Sequence, residues 1–214
     1  MIRVMASGSK TLGATRVLLL RHAETSAPDR FHGAESDVGL GERGLRQAEA
    51  VARRLAVLRP GALYSSGMRR AIETAGPIAR ACGLVSEVVP DLHERRMGSL
   101  SGMPRDEGWA IYDEARRRWT SGDLDHTYCG GESYADIRSR VVPAFLGLAD
   151  RSPAQTAVVV AHGVVIRVLL TSLLEGYGPA DFDRIAIEFV ALNDLRLEDG
   201  RWRANAQDMR IEIP

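Results

Sequence analysis

Lysine is all but absent from this sequence of 214 residues: Lys10 stands alone, and every other basic residue is arginine. Basic and acidic side chains balance at 28 each, so the formal net charge is zero. A surface built for nucleic acid needs a concentrated positive field, and that class of partner is not expected. Long apolar runs are missing too: none approaches the roughly 20 residues of a membrane span. Cysteine is scarce. Cys82 and Cys129 form neither a disulfide framework nor a metal-ligand spacing, and are expected as buried free thiols in a reducing cytoplasm. Residues 1–15 lack the apolar stretch of a signal peptide and read as a loose leader. No repeat, low-complexity tract or composition break divides the remainder, so 16–214 reads as a single domain. That length hides roughly 70% of the unfolded chain's surface, enough for stability without disulfides or metals.

What is present is an alternation of strand and helix signals, the pattern of an α/β three-layer sandwich around a mostly parallel sheet. The run RVLLL at 16–20 predicts a buried central strand. Helical spacing of Leu45, Ala48, Val51, Ala52, Leu55 and Leu58 predicts a helix that Pro60 and Gly61 stop. A short strand at 62–64 leads into a helix over 68–82, ended by Gly83, and 85–89 is a third strand. Two helices are expected within 105–150, broken around 122–131 and covering the open end of the sheet as a helical cap. The run TAVVV at 156–160 is another buried strand, followed by a helix over 164–174. Strands at 184–189 and 191–197 close the sheet, with Asn193-Asp194 as a turn or bulge.

Three pieces carry chemistry, each at the carboxyl end of a predicted strand, where open parallel sheets place their ligand crevice. Arg21-His22 ends the first strand. Ser65-Ser66-Gly67-Met68-Arg69-Arg70 joins the second strand to a helix, where free N–H groups favour an anion and an arginine can grip it with a planar fork. Ala161-His162-Gly163 ends the fourth. Each alone is more often structural: a satisfied core histidine, or an N-cap with solvated arginines. Together they put two imidazoles and at least two guanidiniums in one pocket, which suits a phosphoryl group.

At this point the chain resembles a known family. Leu20-Arg21-His22-Ala23-Glu24-Thr25 looks like the RHG[ET] signature of the histidine phosphatase superfamily, which includes the cofactor-dependent phosphoglycerate mutases. The resemblance runs in order along nearly the whole chain. Arg30-Phe31-His32-Gly33 is similar to R-[FL]-x-G, LGERGLRQA to L-[ST]-x-x-G-x-x-Q-A, and SSGMRRAIETA to SSxLxRAxxTA. Leu92-His93-Glu94 through Gly98 and Gly102, then Gly130-Gly131-Glu132-Ser133, then AHGVVIRVLL, complete it. It implies a phosphoglycerate mutase-like fold, with His22 as the nucleophile. Arg21, Arg70 (not Arg69) and His162 would bind the equatorial oxygens, and Glu94 would be the proton donor and acceptor. Thr25, Arg30, Phe31, Gly33 and Gly163 are the expected substrate-binding positions. Guanidiniums do there what a metal does elsewhere, so neither metal nor cofactor is expected.

The resemblance has gaps. Ala23 replaces a usual glycine, Ser101 an acidic residue and Val164 a second glycine. Pro28, in a shortened loop, stands near where an asparagine usually contacts phosphate; either Thr25 or Ser26 replaces it, or phosphate is held less tightly. His32, His93 and His126 read as surface or loop residues, the first two close enough to the site to line it. Arg116-Arg117-Arg118 reads as a solvated helix face with a lid arginine as the alternative, and Trp109 and Trp119 as core. The expected activity is a metal-independent phosphomonoesterase acting on a small phosphorylated metabolite through a phosphohistidine. The stretch between Glu94 and Gly130 is short for a mutase. A phosphoglycerate mutase and a catalytically inactive phosphate-binding protein of the same fold are the alternatives. Exposed sheet edges leave room for a homodimer.

Overall fold

The computed structural model describes residues 15–153 and 155–209. Six strands form one sheet: β1 (Thr15–Arg21), β2 (Ala62–Ser65), β3 (Ser86–Val88), β4 (Thr156–Ala161), β5 (Leu192–Glu198) and β6 (Arg201–Met209). They lie in the order β3-β2-β4-β1-β5-β6. β1 to β4 are parallel; β5 runs antiparallel to β1 and pairs with β6 as a hairpin. Five helices cover the sheet or its rim: α1 (Glu42–Val57), α2 (Arg69–Cys82), α3 (Arg105–Thr120), α4 (Tyr134–Arg151) and α5 (Gly163–Leu173).

Strand alternation sorts the core. Val17 and Leu19 of β1, with Ala157 and Val159 of β4, meet α4 and α5 on one face. Leu18, Leu20, Val158 and Val160 meet α1 and α2 on the other. The central strands are therefore apolar on both faces, as helices on both sides require. Each fully buried leucine or valine of β1 contributes about 1.5–3 kcal/mol of transfer free energy. Gly83 takes the left-handed conformation (φ 66°) that closes α2 where the sequence predicts its end.

Four expectations are corrected. Residues 184–189 are not a strand. Ile185 and Ile187 are buried and Ala186 and Glu188 exposed, an alternation that imitates a strand. Their carbonyls instead accept from Arg167 and Arg21. The final strand is β6, whose polar sequence gives little strand signal, and the register slips at Asp194 in the β5–β6 pair make a bulge. Of the two helices in 105–150, α4 belongs to the layer beside α5, and only α3 reaches the open end. Cys129 is exposed and Cys82 half-buried. In the expected leader, Thr15 opens β1; residues 1–14 lie outside the described residues. Among the described residues no helix is long and apolar enough to cross a membrane.

Candidate active site

The carboxyl ends of β1, β2 and β4 are neighbours in the sheet, and this brings the separated motifs together. Arg21 is in register with Ala161 and Ser65 with Val160. Beyond the strands the backbone stays in step: His22 N–H donates to Ala161, and Ser66 N–H to Val160. The rings of His22 and His162 consequently lie 5.1 Å apart. A cleft of about 500 Å³ opens above them, lined by Arg21, His22, Arg70, Glu94, the α3 side chains Arg105, Trp109, Tyr112 and Arg116, and the loop 185–189.

His22 is buried, and its Nδ1 lies 2.7 Å from the carbonyl of Ala23. A carbonyl can only accept, so Nδ1 carries the proton and Nε2 keeps its lone pair. Burial first, then the charges of Arg21 and Arg70, holds the pKa of His22 well below its ordinary value. The neutral imidazole is the stable form. His162 is also neutral, for the same order of causes: burial, then Arg70 and its neighbours. Its Nε2 meets Ser66 Oγ at 2.6 Å, and its Nδ1 is buried without a partner among the described residues.

The arginines around these rings are anchored by backbone carbonyls instead of carboxylates. Arg21 donates to Ile187 (2.7 Å) and stacks on Phe189, 4.1 Å from the ring centre. Burial lowers its pKa to about 10, with Glu94 opposing, so it stays charged at neutral pH. Arg70, on the first turn of α2, is 1% exposed and donates to Ser36 and Gly33. Arg69 beside it points to solvent and pairs with Glu73, so the helix turn itself separates the two. Glu94 accepts the N–H groups of Arg95 (2.9 Å) and Val164 (3.4 Å), and its carboxylate faces the cleft beside the start of α5.

The other motif residues hold this constellation. Thr74 Oγ1 accepts Ala23 N–H, and Gln47 Oε1 accepts Glu24 N–H, which pins the two residues after His22. Gly44 lets α1 approach: a Cβ there would lie 2.0 Å from the Glu24 carbonyl oxygen. Glu132 binds Arg140 and accepts Arg96 N–H, so the GGES segment clamps the strip after Glu94, while Ser133 caps α4.

Of the expected substrate-binding positions, Thr25, Phe31 and Gly163 line the cleft with Pro28 between them; Ser26 does not. Arg30 and Gly33 do not line it. Arg30 donates to the Gly102 carbonyl, and Gly33 packs so tightly that a Cβ would meet the Arg95 carbonyl at 2.8 Å. His162 is fully buried beside His22, ring centres 5.1 Å apart, and is not part of the cleft lining. His32 lines the cleft; His93 and His126 do not. Trp119 is core, but Trp109 is 46% exposed and forms cleft wall. Arg116 also lines the cleft, paired with Asp113 and Asp183, while Arg117 and Arg118 pair with acids on the solvated face.

Sequence reasoning gave no site role to Arg105, Arg167 or Phe189, although Arg167 is the arginine of the motif AHGVVIRVLL. Arg167 sits one helical turn after Gly163, the i, i+4 spacing that could have exposed it. Arg105 and Phe189 carry no such signal. Among the described residues no group of three or more metal-ligating side chains comes together.

The model of the histidine phosphatase superfamily, branch 1, matches residues 17–208. The chain belongs to that superfamily. It is 35% identical over 194 residues to the metal-independent phosphoserine phosphatase of Arabidopsis thaliana, covering 88% of this chain and 81% of that protein. It is 30% identical over 192 residues to a protein named as a probable phosphoglycerate mutase of Yersinia pestis, covering 89% of this chain and 88% of the other. The solved mycobacterial glucosyl-3-phosphoglycerate phosphatase superposes with a TM-score of 0.80 at 29% identity, over 92% of this chain and 100% of its own. The phosphoglycerate mutase of Bacillus anthracis shares the fold, with a TM-score of 0.77 at 20% identity. This histidine phosphatase thus has the phosphoglycerate mutase-like architecture.

Proposed function

We propose that this histidine phosphatase is a phosphoric monoester hydrolase that works without a metal, through a phosphohistidine on His22, on a small phosphorylated metabolite. The observation that carries the reading is the Nδ1 bond of His22 to the Ala23 carbonyl, which leaves Nε2 as a neutral nucleophile on the cleft floor.

Nε2 attacks phosphorus, the N–P bond forms, and the P–O bond to the organic group breaks. Arg21, Arg70 and the unpartnered Nδ1–H of His162 each supply a donor for one equatorial oxygen, where charge spreads in the transition state. Glu94 gives its proton to the departing oxygen. A water then attacks the phosphohistidine, Glu94 takes the water's proton, and inorganic phosphate leaves with His22 restored. Acid–base assistance of this kind is worth about 10²–10⁴ in rate. Hydrolysis is favoured over a mutase because Trp109, Ala186 and Glu188 on the cleft wall are exposed, so water has access. Phosphatase names among the relatives support the same choice. Free thiols at Cys82 and Cys129 suit the reducing cytoplasm.

The test is hydrolysis of p-nitrophenyl phosphate with EDTA present. Activity is expected to survive chelation and to vanish in His22→Ala. Activity that outlives the loss of His22 would overturn the reading.

A further inference from the structure

Arg95 is completely buried, yet among the described residues neither of its terminal guanidinium nitrogens has a hydrogen-bond partner. Its Nε meets the thioether of Met97 at 3.1 Å, a weak acceptor. Three aromatic rings enclose the cation instead: Tyr112 at 4.9 Å, Trp119 at 5.0 Å and Tyr128 at 5.4 Å from its central carbon. Tyr112 and Trp119 stand two turns apart on one face of α3. Trp119 Nε1 donates to the His126 carbonyl, which draws the loop of Tyr128 into the same cage. Rings attract a cation, but a charge hidden from water without an anion is costly. An apolar side chain of this length would fill the space without that cost. Packing alone does not call for arginine here.

The backbone of the same residue meets Glu94. Arg95 N–H donates to Glu94 Oε1 at 2.9 Å and is the closer of the two N–H groups that hold this carboxylate. The strip on either side is fastened peptide by peptide. Arg140 takes the His93 carbonyl, Glu132 the Arg96 N–H, and Glu35 the N–H groups of Met97 and Gly98. At residue 95 the carbonyl accepts Ala34 N–H, and the side chain adds a link to α3. That helix carries Trp109 and Tyr112 of the cleft wall. The guanidinium therefore joins the peptide that grips Glu94 to the helix that covers the cleft.

We propose that Arg95 is a positioning residue for proton transfer by Glu94: its caged guanidinium fixes the peptide whose N–H aims the carboxylate, and ties that carboxylate to α3. Arg95 touches no substrate, since it is sealed behind Tyr112 and Met97, which line the cleft in its place. The inference deepens the phosphatase reading above and rests on it.

The test uses two esters of nearly one shape, phenyl phosphate and p-nitrophenyl phosphate. Nitrophenolate departs readily as an anion, whereas phenolate depends on a proton from Glu94. Arg95→Met is expected to lower kcat/KM on phenyl phosphate by about tenfold, part of the roughly 10²–10⁴ that acid–base help supplies. On p-nitrophenyl phosphate the loss stays within about threefold. Arg95→Lys keeps a cation in the cage and recovers part of the loss. Added to Glu94→Gln, Arg95→Met costs phenyl phosphate no more than about twofold, because the residue it acts through is gone. Equal losses on both esters, or full additivity with Glu94→Gln, assign Arg95 to packing and overturn the proposal. If Arg95→Met fails to fold, Tyr128→Leu opens one wall of the cage at a half-buried position and carries the same expectation. Hydrogen exchange at the amide of residue 95 reads the positioning without catalysis. Its protection is expected to fall about tenfold in either variant while the amides of β1 keep theirs. If the native chain hydrolyses neither ester, the phosphatase reading falls and the exchange still decides: selective loss of protection upholds the positioning, and unchanged protection overturns it.

Discussion

Ser66 Oγ stands 2.6 Å from His162 Nε2 while it accepts the N–H of Met68 at 3.1 Å. Both side chains are completely buried. Among the described residues His162 Nε2 is the one acceptor within reach of the Ser66 hydroxyl proton; with that proton donated to Nε2, the proton of His162 is on Nδ1, the nitrogen without a partner. In the proposed mechanism Ser66 is then a positioning residue that leaves Nδ1 of His162 as the donor.

Ser66→Ala is expected to lower kcat/KM by about tenfold, the order of one hydrogen bond, with the loss mainly in kcat. Nitrogen NMR of His162 should show the tautomer mixing in the variant. An unchanged tautomer with unchanged kcat would assign Ser66 a packing role only.

The two neutral histidines also couple stability to pH. In the unfolded chain each takes up a proton as pH falls through about 6.5; in the folded chain burial and the guanidiniums hold both well below that. The unfolded state then binds more protons, so stability falls as pH drops below 6.5, by up to about 1.4 kcal/mol per pH unit for each histidine. Urea unfolding at pH 7 and pH 5.5 measures the slope, which His162→Gln should reduce. The same shift predicts that His22 adds no acid limb near pH 6.5 to kcat/KM beyond the substrate's own second ionisation at about 6. A further limb there, remaining after correction for substrate ionisation, would mean that His22 titrates normally.

Gly44 gives a steric prediction. A methyl group there meets the fixed carbonyl of Glu24 at 2.0 Å. Gly44→Ala should destabilise the protein by about 1–3 kcal/mol despite alanine's better helix propensity. It should lower activity as well, because Glu24 is held next to His22. Equal or raised stability by urea titration would show that α1 can move away freely.

Much of this was legible in the chain. Apolar runs ending in Arg21-His22 and Ala161-His162 announced two buried parallel strands and where their chemistry would emerge, since strand ends in such a sheet converge. Gly83 marked its helix end because only the left-handed turn suited it. What stayed hidden depended on contacts distant in sequence. Residues 184–189 alternate like a strand, but two arginines from other elements claim their carbonyls. Trp109 and Trp119 share a helix and differ only in which side of α3 the rest of the fold covers. Arg105 and Arg167 reach the cleft from α3 and α5, and nothing local to Arg105 tells a cleft-facing arginine from a solvated one.

The most direct measurement is the site of phosphoryl transfer. The Glu94→Gln chain, mixed briefly with p-nitrophenyl phosphate and quenched at alkaline pH, is digested and its peptides are analysed by mass spectrometry. The phosphoryl group is expected on His22, because attack needs only Nε2 while release of the intermediate needs the missing base. A phosphoryl group on any other residue, or native turnover in His22→Ala, would contradict it.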